Sequence, residues 1–136
     1  MPLEAMLAEH PNADADHDLR LTRAVRQAVD CAAVCTACAD ACLAEPMDMR
    51  ECIRLNLDCA DVCHATARVA SRRTGHDRQL IRSILAVCIE ACQRCASECA
   101  RYEHAHCRRC AQACLDCAED CLTALGTINA EVRAQA

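Results

Sequence analysis

Apolar and polar positions alternate along most of this chain at spacings of three and four residues, the period at which side chains return to one face of an α-helix. Four long stretches carry the pattern. The first runs from about Asp18 to Ala44 and is ended by Pro46. Asp48 then stands as N-cap of a second helix, with Glu51 three residues later, and that helix reaches about Arg73. Thr74 and Gly75 form the next stop, and Asp77 caps a third helix that runs to about Tyr102. Neither Gly nor Pro marks the last junction. The register of the apolar face slips between Cys99 and Cys107, however, which places a tight turn over 102–106 and starts a fourth helix that reaches Gly126 or slightly beyond. Ahead of all four, residues 1–16 hold a short helix over Leu3–Glu9, then Pro11 and an Asn/Asp loop; they read as a peripheral N-terminal arm, and residues 17–136 as the bundle. Four helices with short connections predict an all-α fold, an antiparallel up-down-up-down four-helix bundle.

The residues on the inward faces are the unusual feature, because they are cysteines. Cys31, Cys35, Cys38 and Cys42 form one column, Cys88, Cys92, Cys95 and Cys99 repeat it, and Cys107, Cys110, Cys114, Cys117 and Cys121 extend it by one. Cys52, Cys59 and Cys63 form a shorter column on the second helix, where Asn56 takes the place of a fourth. These are the core positions at which a bundle ordinarily carries Leu, Ile or Val. Sixteen of 136 residues are Cys, whereas Tyr102 is the one aromatic residue, so the large side chains that usually fill a core are missing. Scarce Gly and Pro and abundant Ala, Leu, Arg and Glu agree with helix throughout.

Charge and hydropathy narrow the class. The formal net charge is −5, scattered over the polar faces, which argues against a nucleic-acid partner. The apolar runs are too short to cross a bilayer, so no membrane role is expected. The opening MPLEAMLAEHPNADADHD lacks a basic segment followed by an apolar one, and the expected address is the cytosol. Thiols there stay reduced and meet metals more often than they form disulfides. Thiols stacked along one helix also point side by side, which suits a disulfide framework poorly.

Depth in the bundle follows from the rise of about 1.5 Å per residue. Counted from the end that holds the first and third turns, Cys42, Cys52, Cys99 and Cys107 form a rim, and Cys31, Cys63, Cys88 and Cys121 lie about 20–25 Å down. This count leaves Cys117 without a partner on the second helix. Below the thiols, Leu21, Ala24, Ala28, Ala70, Ile81, Leu85, Ala124 and Ile128 continue the same faces as an apolar plug. The result is a tube closed by hydrocarbon at one end and lined with sulfur toward the other.

Soft thiolates select Cu(I), Zn(II) or iron–sulfur clusters. A continuous sulfur lining suits Cu(I), which takes two or three ligands that bridge to neighbouring ions, with a capacity near one ion per Cys, on the order of sixteen. Zinc or cadmium, held in tetrahedral four-thiolate sites, is the alternative, and a structural scaffold with a thiol core is the non-metal one. An iron–sulfur carrier needs a loop of closely spaced Cys, and a di-iron site needs paired Glu-x-x-His motifs, of which only Glu103 with His106 matches. At the rim, His104, three residues before Cys107, is a candidate ligand and is favoured over His106; Asn56 is either a weak oxygen ligand or a core amide; Met47 and Met49 read as apolar caps. No catalytic constellation is found, since Cys63 and its neighbour His64 point different ways on a helix.

The segments CAAVCTACADAC at 31–42, ECIRLNLDCADVC at 51–63, CIEACQRCASEC at 88–99 and HAHCRRCAQACLDCAEDC at 104–121 resemble those of the bacterial cytosolic copper storage proteins. The resemblance spans about Asp18 to Ala124. It implies a cysteine-rich four-helix bundle that holds many Cu(I) ions without catalysis, takes them in near the His-bearing turn, and assembles as a homotetramer. Asn56 departs from the family, whose members tend to carry a carboxylate there, and the twin-arginine signal of the exported branch is absent from this sequence.

Overall fold

The structure, a computed structural model, describes residues 2–13, 15–75 and 77–135. Position 14 of the expected Asn/Asp loop and residues 1 and 136 at the outer bounds of the expected arm and bundle lie outside them. The described chain is all-helical: α1 Pro2–Ala8, α2 Ala15–Leu43, α3 Arg50–Ala70, α4 Arg78–Cys99 and α5 Ala105–Gln135. Each of the four long helices packs on two others, α2 and α4 each lying against both α3 and α5, while α1 lies on α2.

Local chemistry sets the boundaries. Asp77 caps α4 as expected, its Oδ1 accepting the Leu80 N–H at 3.1 Å. Gly75, two residues before it, has φ +54°, a left-handed backbone that glycine adopts at least cost, and it lies in the turn at 74–75 that leads into α4 rather than at the end of α3. The cap of α3 differs from expectation. Met49 is the N-cap residue, and Asp48 instead accepts the Arg50 N–H at 3.0 Å and clamps the Arg50 guanidinium at 2.8 and 3.0 Å. The carboxylate still satisfies an N-terminal amide, but from one residue further out. At its other end α3 stops at Ala70 rather than Arg73; the Ser71 hydroxyl donates to the Ala67 carbonyl at 2.6 Å, and Arg73, beyond the helix, folds back to donate to the Ala70 carbonyl at 2.9 Å. The helix α4 ends at Cys99, three residues short of Tyr102, and α5 continues through Gly126 to Gln135.

The expected plug is present: Leu21, Ala24, Ala28, Ala70, Ile81, Leu85, Ala124 and Ile128 are all buried, joined by Val25 and Ala67. Leu7 of α1 enters the same cluster, and the N-terminal segment is held further by Glu4–Arg26 at 3.5 Å and by a His10–Thr74 contact at 3.1 Å. A single anchoring Leu in so short a helix leaves no periodic signal. Above the plug cysteines dominate the core, with small residues such as Ala60, Ala96, Ala111 and Ala118 beside them; they behave as small hydrophobes and let the helices approach closely.

Candidate metal centre

All sixteen cysteines are buried and free. Helical spacing stacks the thiols along each helix, and the packing of four helices turns the columns inward to meet. Deep in the bundle, Cys31 Sγ lies 3.8 Å from Cys35 and 3.7 Å from Cys114, and Cys35 lies 3.6 Å from Cys114. Cys59 contacts Cys114 at 4.0 Å, Cys63 at 3.8 Å and Cys92 at 3.8 Å. Cys63 in turn meets Cys88 at 3.8 Å and Cys92 at 3.7 Å. At the end opposite the plug Cys52 bridges Cys42 at 3.8 Å and Cys99 at 3.7 Å. The Cys42–Cys52 separation is nearly twice the length of a disulfide bond, about 2.05 Å.

Four-donor groups therefore recur along the tube. In each of Cys31/Cys59/Cys63/Cys92, Cys31/Cys35/Cys59/Cys114, Cys35/Cys95/Cys110/Cys114 and Cys63/Cys88/Cys92/Cys117, the sulfurs all lie within 4.8 Å of one another. The last group corrects the depth count, since Cys117 does have a partner on α3, namely Cys63. With α3 starting at Arg50 and α5 at Ala105, both residues sit about 18–20 Å along their helices. Cys121 lies beside Cys88 and Cys117, whose thiols push its own ionisation upward.

Asn56 interrupts the sulfur and is fully buried at 0 % exposure. Its Oδ1 accepts from the Cys110 thiol at 3.0 Å, from Cys95 at 3.1 Å and from Cys99 at 3.8 Å, while its Nδ2 donates to Cys52 Sγ at 3.6 Å. The amide is satisfied on both sides by thiols from α3, α4 and α5, as a buried polar group requires.

At the mouth, the structure brings His106 rather than His104 to the sulfurs. His106 Nδ1 lies 3.3 Å from Cys38 Sγ and 3.6 Å from Cys107 Sγ, and it completes a group with Cys38, Cys42 and Cys107. His104 precedes the start of α5, so its three-residue spacing to Cys107 does not put the two on one helical face. Its Nδ1 faces Glu45 Oε2 at 3.3 Å instead. Glu45 also holds His106 Nε2 at 2.8 Å, and this aims the opposite ring nitrogen at the thiols, the way outer-shell carboxylates orient metal-binding imidazoles. Tyr102, His104 and His106 stack in sequence, with centroids 6.2 and 5.5 Å apart, and the Tyr102 hydroxyl donates to Glu98 at 3.2 Å. Glu45 was not singled out from sequence, because it joins the site only when the turn after α2 meets the turn before α5. Met49 is buried at 2 % exposure as an apolar cap, whereas Met47 is 46 % exposed.

Burial, reinforced by the neighbouring Cys42 and Cys99, pushes the Cys107 thiol from the 9.0 of an unperturbed thiol up to about 11, and burial together with Cys99 raises Cys52 as well. Both thiols are therefore neutral in the metal-free protein near pH 7. Their pKa is higher folded than unfolded, so between about 9.0 and 11 the unfolded chain binds fewer protons and stability falls as pH rises. Urea unfolding of the metal-free, reduced protein is expected to give a lower midpoint at pH 10.5 than at pH 8; an equal or higher midpoint would contradict the assignment.

Comparison with known proteins agrees with this geometry. The profile of the copper storage protein family matches residues 17–126. The chain is 44% identical to a Streptomyces lividans copper storage protein, Ccsp, whose structure is loaded with 10 copper equivalents; 91% of this chain and 98% of that one superpose with a TM-score of 0.86. The Cu(I)-bound copper storage protein BsCsp3 is 33% identical, over 75% of this chain and 94% of its own, with a TM-score of 0.68. An uncharacterized cysteine-rich protein of Bacillus subtilis (strain 168), YhjQ, is 35% identical over 99 residues, 71% of this chain and 88% of its own. The thiol-lined helical core and the matching of 17–126 establish that this chain belongs to the copper storage protein family.

Proposed function

We propose that this protein stores and buffers Cu(I) in the cytosol, binding many ions inside an antiparallel up-down-up-down bundle formed by residues 17–136, with residues 1–16 as an arm. The bundle reading is supported by Arg20 with Thr127, Cys31 with Cys114 and Cys38 with His106, contacts in which α2 and α5 run in opposite senses. One observation carries the function: an unbroken succession of thiol contacts at 3.6–4.0 Å from Cys110 down through Cys35 and Cys114 to Cys63 and Cys88. Cu(I) moves along such a lining by exchanging one sulfur for the next, so each step breaks and forms a single bond.

All sixteen cysteines serve as ligands in this reading: Cys31, Cys35, Cys38, Cys42, Cys52, Cys59, Cys63, Cys88, Cys92, Cys95, Cys99, Cys107, Cys110, Cys114, Cys117 and Cys121. Copper enters at the mouth, where His106 with Cys38 and Cys107 offers the first donors, and Asn56 serves as a core amide between the mouth and the deep thiols. The protein performs no catalysis and assembles as a homotetramer. Copper loading of the Streptomyces relative supports the cargo, and a second Streptomyces structure, 47% identical, is described as a cytosolic copper storage protein.

The test is anaerobic titration of the reduced protein with Cu(I), counting ions per chain. A capacity well above four and approaching the number of thiols, sixteen, is expected. Saturation at four or fewer would overturn the storage reading.

A further inference from the structure

The thiols are not spaced only for copper. An ion bound tetrahedrally by four thiolates with bonds of about 2.3 Å holds its sulfurs about 3.8 Å apart. In the group Cys31/Cys35/Cys59/Cys114, four sulfur separations are 3.8, 3.7, 3.6 and 4.0 Å. The contacts that serve two- or three-coordinate Cu(I) by ligand exchange therefore also match the edge of a tetrahedral site. Three groups can also be chosen that share no donor: Cys38/Cys42/Cys107 with His106 at the mouth, Cys31/Cys35/Cys59/Cys114 in the middle, and Cys63/Cys88/Cys92/Cys117 deepest.

We infer that the copper-free bundle is also a binding site for tetrahedral divalent d10 ions of the Zn(II) and Cd(II) class, taking three per chain at these three places. The inference goes beyond copper storage, because it assigns a second cargo with a stoichiometry fixed by geometry rather than by the number of thiols. Charge and protons balance as follows. Each deep ion displaces four thiol protons to solvent, and its site carries a net charge of −2. The mouth ion displaces three protons, keeps His106 neutral, and carries −1. Buried charge in an apolar surround is costly, so the mouth fills first and the two deep sites follow. Cu(I) at one ion per thiolate leaves no net charge, and soft thiolates prefer it. Copper loading therefore expels the divalent ions, which makes the bundle an exchanger: it releases one class of metal as it takes up the other.

The experiment is anaerobic Cd(II) titration of the reduced full chain, read by thiolate-to-metal absorption and cadmium NMR. Saturation at three ions is expected, one resonance from a site of three sulfurs and one nitrogen and two from four-sulfur sites; saturation at any other number overturns the inference. Cys114 belongs to both alternative middle groups, and Cys63 to both alternative deep ones. The Cys114→Ser and Cys63→Ser variants should each bind two Cd(II), and the double variant one, whereas Cys52→Ser, outside the three groups, should still bind three. Cu(I) capacity should fall only by about one ion per thiol removed, so whole-site loss of Cd(II) separates the two behaviours. Unchanged Cd(II) stoichiometry in variants whose circular dichroism remains helical overturns the assignment of sites. A protein that takes many Cu(I) ions but no Cd(II) refutes this inference and leaves the storage reading intact.

Discussion

Loading with Cu(I) is expected to raise the midpoint of thermal unfolding by at least about 20 °C while changing the helical content little. The metal-free chain already has a reason to fold, since the plug around Ile81 and Leu85 is buried independently of any ion and the helices have strong intrinsic propensity. Metal then binds the native state, where the thiols are already gathered, more tightly than the unfolded chain. Each site filled at a thousandfold excess over its dissociation constant adds about 4 kcal/mol. For a domain of this size each kcal/mol shifts the midpoint by roughly 4 °C, so a few filled sites suffice. Circular dichroism melts of the reduced protein with and without Cu(I) provide the measurement. A random-coil spectrum before loading would show that the plug does not hold the bundle, and equal midpoints would show that Cu(I) does not bind the folded core.

The second large effect is expected from Leu85→Ala. Leu85 is fully buried in the plug beside Ile81, Val25 and Leu21, and this core contains no aromatic side chain able to shift into the space. Truncation removes the transfer energy of the lost methyl groups and leaves a cavity, at a cost of about 2–5 kcal/mol. Copper capacity should be unchanged, because none of the cysteines is altered. Denaturant unfolding of the metal-free variant, paired with Cu(I) titration, separates the two roles of the core. A cost below about 1 kcal/mol would mean that the thiol contacts, not the plug, carry the stability. A large fall in capacity would mean that the two halves of the tube are mechanically coupled.

Much of this protein was legible in its sequence because two of its determinants are local. Helical periodicity depends only on spacing along one chain, so the thiol columns, the apolar plug and the all-helical fold follow from positions such as Cys31, Cys35, Cys38 and Cys42. Turn chemistry is local too, and for that reason Pro46, Gly75 and Asp77 marked their junctions. The residues that misled did so where a local rule met a boundary. The spacing of His104 to Cys107 puts them on one face only if both lie in the helix, and α5 begins at Ala105, between them. Cys117 looked unpartnered because a count of rises along single helices set Cys63 level with Cys121, whereas in the packed helices Cys63 and Cys117 share one group.

Only the tertiary structure decided what meets what across helices. Glu45 and His106 are 61 residues apart and come within 2.8 Å because two turns share one end of the fold. Asn56 gathers thiols from α4 and α5 around one amide, and no spacing within α3 announces those partners. The physical reason is the same in each case: periodicity fixes the face a side chain occupies, but helix start, stagger and packing angle fix the height at which opposing faces touch. Those quantities arise from the simultaneous packing of all four helices, so the sequence by itself determined that sulfur lines the core, and the assembled bundle decided which sulfurs form a site.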